Sequence, residues 1–191
     1  MSLDITVYAK QLSNDLIPKI QARLNDFEMT CEIHPEFSFI DQNGFLPFKF
    51  RLANPPFDIL RNKILTSGFE LFIDNFALAE AKSKRKAGLL NRLLQKKPTA
   101  LPLVTDEIDG RLKDCKYAIS FVWHAVDSFE LRLASLTSAI LTELTNGVCT
   151  YSHDILYINE NLVENAWKEI KEYETSLLKE NDLKFHEFEK W

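Results

Sequence analysis

Two short spacings set a thiol beside an imidazole. Cys31-x2-His34 and Cys149-x3-His153 together hold the donor set of a tetrahedral Cys2His2 zinc site. The first pair lies in "MTCEIH", which reads as a strand, and strand positions three apart face opposite ways. One ion is therefore out of reach of both side chains. The second pair, Cys149 and His153, spans a strand and the turn after it, a better geometry. A buried cysteine is also an ordinary small hydrophobe, and neither metal nor other cofactor is expected.

The same residue types also suggest nucleophilic catalysis. His124 ends the stretch "KYAISFVWH", where its same-face neighbours Ala118 and Ser120 are small and leave room for a ligand. Cys149 could serve as a thiolate nucleophile, and Asp127 or Asp154 could orient an imidazole. No nucleophile-elbow or cysteine-protease pattern surrounds them. With 5 glycines, the chain has no G-x-G-x-x-G and no phosphate-binding lysine loop. No catalytic residue is assigned. His124, Cys149 and Asp154 are the candidates should the protein be a small enzyme with a pocket near His124 and Cys149. Carboxylates flanking a histidine, such as Glu32 and Glu36 around His34, read as solvated surface in a chain with 28 acidic residues.

Charge is unevenly distributed. "ALAEAKSKRKAGLLNRLLQKKP" (residues 77–98) concentrates Lys82, Lys84, Arg85, Lys86, Arg92, Lys96 and Lys97 in a chain of net charge −5. Setting those seven of its 23 cations aside leaves 16 against 28 acidic side chains. The run carries no aromatic to stack on a base, and its apolar residues fall only between Leu89 and Leu94. It reads as a solvated helix or loop, with Lys82, Lys84, Arg85 and Lys86 as candidate partner contacts. Neither nucleic acid nor membrane is an expected partner. The acidic remainder points to one protein partner of basic character. The start "MSLDITVYAK" lacks the pattern of a signal peptide, no apolar run approaches a membrane span, and three cysteines suit reduced thiols. A cytoplasmic location is expected.

The elements that would position these residues follow from periodicity. "DITVYA" reads as a strand. "SNDLIPKIQARLNDF" reads as a helix capped by Asn14 or Asp15, with Leu16, Ile20, Leu24 and Phe27 on one stripe. "MTCEIH", "EFSFI" and "FLPFKFRL" read as strands, the last two joined at Asn43-Gly44 as a hairpin. In "GFELFIDNF", Phe69, Leu71 and Ile73 alternate with Glu70, Phe72 and Asp74. In "KYAISFVWH", Tyr117, Ile119, Phe121 and Trp123 share a face. "DSFELRLASLTSAILTELTNG" is a helix. Asp127 and Glu130 form a capping-box-like start, Gly147 is the left-handed stop, and Phe129, Leu133, Leu136, Ile140 and Leu144 form the buried stripe. "VCTYS" and "ILYI" are strands. The last helix turns Leu162, Ala166, Trp167, Ile170, Tyr173 and Leu177 inward. The order strand–helix–strands thus occurs twice. It implies an α+β fold with helices packed on a largely antiparallel sheet. The chain is a single domain, 1–191, or two halves, 1–81 and 105–191, joined by a basic helix or linker over 82–104.

Residues 116–158 carry a resemblance. "YAISFVW" followed by "SAILTELTNGVCTYSHD" resembles a segment of small bacterial α+β proteins, including immunity proteins of polymorphic-toxin and type VI secretion systems. In those, an aromatic strand leads into an Ala/Leu helix, a Thr-Gly-Gly-like turn and a strand ending in Asp. Thr145-Asn146-Gly147 stands at the turn and Asp154 at the closing Asp. Asn146 departs from the pattern, as does the lack of a proline after Asp154. The resemblance implies a protein that binds and neutralises one toxin partner stoichiometrically. It assigns no functional residue here. A housekeeping protein that dimerises is the remaining alternative.

Overall fold

The structure is a computed structural model that describes residues 3–40, 43–82, 105–151, 155–157 and 161–191. It is α+β. The strands are β1 (Leu3–Ala9), β2 (Met29–Ile33), β3 (Gly44–Leu52), β4 (Leu65–Asn75), β5 (Tyr117–Trp123), β6 (Val148–Tyr151), β7 (Ile155–Tyr157) and β8 (His186–Glu187). They form one sheet in the order β2-β3-β4-β5-β1-β6-β7, and β8 pairs with the start of β4. Every pairing is antiparallel. The main helices are α1 (Leu16–Leu24), α2 (Asp106–Leu112), α3 (Glu130–Thr145) and α4 (Leu162–Glu172).

The two strand–helix–strand units are crossovers. α1 carries the chain from β1 to β2, and α3 carries it from β5 to β6, both packing on one face of the sheet. Because β1 lies between β5 and β6, strands from both sides of residues 83–104 share one sheet. Alternation puts Ile5, Val7, Phe48, Phe50, Phe69, Leu71, Ile119, Phe121 and Trp123 against the helices. The α1 stripe of Leu16, Ile20 and Leu24, with Phe27 beyond the helix, is buried as its spacing predicts. Trp123 is buried. Trp167 is half-buried against the same core, so both sit on one side of the sheet.

α3 departs from a one-stripe helix. It is buried from Arg132 through Thr142, because the sheet lies beneath it and α1 and α4 lie alongside. Three of its hydroxyls bond within the helix: Ser138 donates to the Ser135 carbonyl at 3.0 Å, Thr142 to Ser138 at 2.8 Å and Thr145 to Leu141 at 2.7 Å, whereas the buried Thr137 hydroxyl has no partner among the described residues. Its start does not form the expected capping box: the cap position falls at Phe129, two residues past Asp127, with no side-chain cap, and Asp127 and Glu130 instead brace the loop before it. Asp127 Oδ1 accepts from the Phe129 amide at 2.7 Å, and Glu130 reaches back to the amides of His124 and Val126 at 3.0 and 3.3 Å. At its end, Asn146 and not Gly147 takes the left-handed conformation, with φ 48°. Gly147 is needed for a different reason: a Cβ there would lie 2.5 Å from the Tyr8 carbonyl oxygen of β1.

Three local expectations fail for tertiary reasons. "EFSFI" is no strand. It runs as turns after Pro35, and Phe37 and Phe39 enter the core instead. Asn14 is spent there, accepting from the Phe39 amide at 2.9 Å and donating to Ser38 at 3.1 Å, and neither it nor Asp15 caps α1. The 44–52 strand therefore pairs with β2, not with a 36–40 hairpin arm. At the other end of the chain, α4 widens into a π-turn over Tyr173–Leu177, which buries Glu174 and leaves Leu177 exposed. The outer edge of β2 is closed by side chains: Asn25 Oδ1 accepts from the Cys31 amide at 2.7 Å and Gln21 Oε1 from the Ile33 amide at 3.1 Å. An edge so covered is a poor template for added strands.

Candidate binding surface

The sheet's two faces give the candidate residues different fates. Cys149, opposite Val7 in the register, points into the helix-covered core and is fully buried. Burial pushes its thiol up to about 12. His124 follows β5 on the other side. Its Nε2 lies 3.5 Å from Glu70 Oε2, with both side chains half in solvent. Cys149 is level with Ile119 across β1, five residues from His124, roughly 16 Å at the strand rise. The structure does not bring this thiol and imidazole together. His153 and Asp154 lie outside the described residues, so the Cys149–His153 pair has only its first member placed.

Cys31 and His34 diverge as the strand period requires. Cys31 is in the core, its thiol pushed to about 12 chiefly by burial. His34 accepts from the Glu36 amide at 3.2 Å and meets Trp191 edge-on at 4.8 Å. Among the described residues no group of three His, Cys, Asp or Glu is arranged to hold a metal. Cys31, Cys115 and Cys149 are free and buried, and burial is the main cause raising all three thiols, Cys115 to about 11. A thiol reagent at pH 8 is expected to label none of them in the folded protein and all three once it is unfolded in guanidinium. Rapid labelling of one thiol in the native state would contradict the packing.

Of the basic candidates, Lys82 pairs with Asp109 of α2 at 2.5 Å. Lys84, Arg85 and Lys86 lie outside the described residues. Asp127 is a buried carboxylate at the β4–α3 junction. It accepts from Ser67 Oγ at 2.9 Å as well as from Phe129, while its Oδ2 has no partner among the described residues. Burial holds its carboxyl above the usual aspartate range, against the pull of those hydrogen bonds and of the His186 charge.

The largest buried polar feature escaped sequence reasoning. Arg132 and Glu174 are 2% and 4% exposed and form a two-pronged pair: Nε to Oε1 at 2.8 Å and Nη2 to Oε2 at 2.6 Å. Arg132 Nη1 donates to the Phe27 carbonyl at 2.8 Å, and the guanidinium lies 4.9 Å from the Trp167 ring centre. The pair ties the end of α1 to α3 and α4. It is sealed, and nothing on it faces a ligand. A small void between sheet and helices, lined by Ile20, Phe37, Leu46, Phe121, Thr137 and Leu141 among others, has about 10 Å³, room for one water.

What remains is the face turned away from the helices. One corner is covered by α2, where Ile108 and Leu112 pack on Val148, Tyr8 and Phe76. At the opposite side the C-terminal segment lies on the sheet: Lys49 Nζ is 5.3 Å from the Phe188 ring centre, and the Phe188 amide donates to Ile64 at 2.8 Å. Between them the register sets out three rows. Phe45, Glu70, Val122 and Asp4 stand side by side, then Phe72, Ser120 and Thr6, then Asp74, Ala118 and Tyr8. Phe45 is 55% exposed and Phe72 38%. Asp4 and Asp74 are exposed, Glu70 partly so. Thr6 and Ser120 hydroxyls share a hydrogen bond at 3.3 Å. Phe45 lies over Gly68, whose missing side chain gives the ring its seat. The alternation in "GFELFIDNF" already sets Glu70, Phe72 and Asp74 on one face. No helix of the described residues is long and apolar enough to cross a membrane. No family model, curated protein or solved structure matches the chain.

Proposed function

We propose that this protein acts by stoichiometric binding of one protein partner in the cytoplasm, as the immunity-type resemblance of residues 116–158 implies, with neutralisation of a toxin as the biological outcome. The observation that carries the reading is the sheet face that the described residues leave uncovered: two exposed phenylalanines beside three carboxylates, on a sheet rather than in a cleft. Aromatic side chains left in water on an otherwise well-packed domain mark contact surfaces. The enzymatic alternative rests on an imidazole–thiol pair that lies on opposite faces of the sheet, with the thiol held protonated by burial.

The test is complementation in a host that requires the protein. His124→Ala and Cys149→Ala, each checked for folding by thermal melting, are expected to retain activity, and the wild-type protein is expected to form a complex of fixed stoichiometry. Loss of activity in a folded His124→Ala variant that still forms its complex would favour catalysis and overturn the reading.

A further inference from the structure

We infer that the occupant of the open face is a cationic protein segment, an extended stretch presenting Arg or Lys between apolar side chains. The inference rests on the binding reading above and names the surface and its partner's chemistry. The three rows hold Asp4, Glu70 and Asp74 and no Lys or Arg. Of the basic groups described around the rows, His124 is turned to Glu70, Lys10 just beyond Ala9 is paired with Asp114, and Lys116 just before Tyr117 stands at the exposed end of the face. A second copy meeting this face through its own would set carboxylates against carboxylates. Nucleic acid and anionic lipid are repelled for the same reason. A guanidinium suits what is present: it bonds a carboxylate and stacks on an aromatic face together, and Glu70 stands between Phe45 and Phe72, directly opposite the first and two residues from the second.

Size agrees with a segment rather than a whole domain. Four strands at about 4.8 Å and three rows at about 6.8 Å span roughly 14 Å each way, the footprint of a few residues of extended chain. The aromatic pair and Val122 supply apolar contact, the carboxylates supply direction, and the Thr6–Ser120 pair lies between them.

The experiment is an amide-resolved NMR titration of the whole chain with two nine-residue peptides, one alternating Arg and Leu, the other alternating Glu and Leu. The Arg peptide is expected to shift amides of Asp4, Glu70, Phe72, Ser120 and Val122, and to bind several-fold more weakly when salt is raised from about 0.05 to about 0.3 M. Glu70→Gln and Phe72→Ala, both at solvent-accessible positions, are each expected to weaken it by about tenfold. Shifts centred on another surface, equal binding of the Glu peptide, or indifference to both substitutions would overturn the proposal. So would movement of the same resonances in a Lys84→Ser/Arg85→Ser/Lys86→Ser variant without peptide, because the occupant would then be the chain's own basic run. The two readings fail separately. If the Glu70 and Phe72 variants retain full activity in the complementing host, this face is wrong while stoichiometric binding stands.

Discussion

Glu174→Ala is expected to destabilise the protein by about 3–5 kcal/mol, the cost of leaving one member of a buried ion pair without its counter-charge. Arg132 would keep its bond to the Phe27 carbonyl and its place over Trp167, but two of its donors would face a cavity where Glu174 now accepts. Solvent cannot repair the loss, since both residues are almost wholly buried. Glu174→Gln separates charge from hydrogen bonding. It keeps one acceptor oxygen, aims an amide donor at the guanidinium, and should fall between the wild type and the alanine variant. Arg132→Met/Glu174→Leu, which removes both charges and keeps the volume, should cost far less than Glu174→Ala. Urea unfolding of the four proteins measures this. A Glu174→Ala cost below about 1 kcal/mol would mean that water reaches the pair.

The second large effect is expected at a glycine. A Cβ on Gly68 would lie 2.2 Å from the Leu46 carbonyl oxygen and 2.8 Å from the Phe45 ring. The first contact is with backbone of the paired strand, so relief requires β3 and β4 to separate in the middle of the sheet. Gly68→Ala should therefore cost about 3 kcal/mol or more. It should also unseat Phe45, and with it part of the open face. Gly110 is the control. It lies in α2 with nothing within 4 Å of its would-be Cβ, and Gly110→Ala should stabilise by about 0.5–1 kcal/mol through helix propensity alone. Thermal melts of the two variants should shift in opposite directions. A shift in the same direction would place the sheet contact elsewhere.

Short-range pattern determined a good deal by itself. Alternation in "YAISFVW" and "GFELFIDNF" set which residues face inward, because the strand period admits only two faces. The 3.6-residue recurrence of Leu16, Ile20 and Leu24 determined α1, and the repeated strand–helix–strands order determined the α+β class. It also put Glu70, Phe72 and Asp74 together. What it did not contain was which face the helices would leave uncovered, since that depends on where the crossovers pack. Only the tertiary structure decided that β1 inserts between β5 and β6, and hence that His124 and Cys149 lie on opposite sides of the sheet. It alone turned Glu174 inward in place of Leu177, because Arg132, buried between sheet and helices, needs a carboxylate within reach. It drew Phe37 and Phe39 into the core through Asn14, a residue more than twenty positions away. A strand or helix is chosen by neighbours a few residues off, whereas a buried charge, an open face and a shared site are chosen by partners that meet only when the chain has closed on itself.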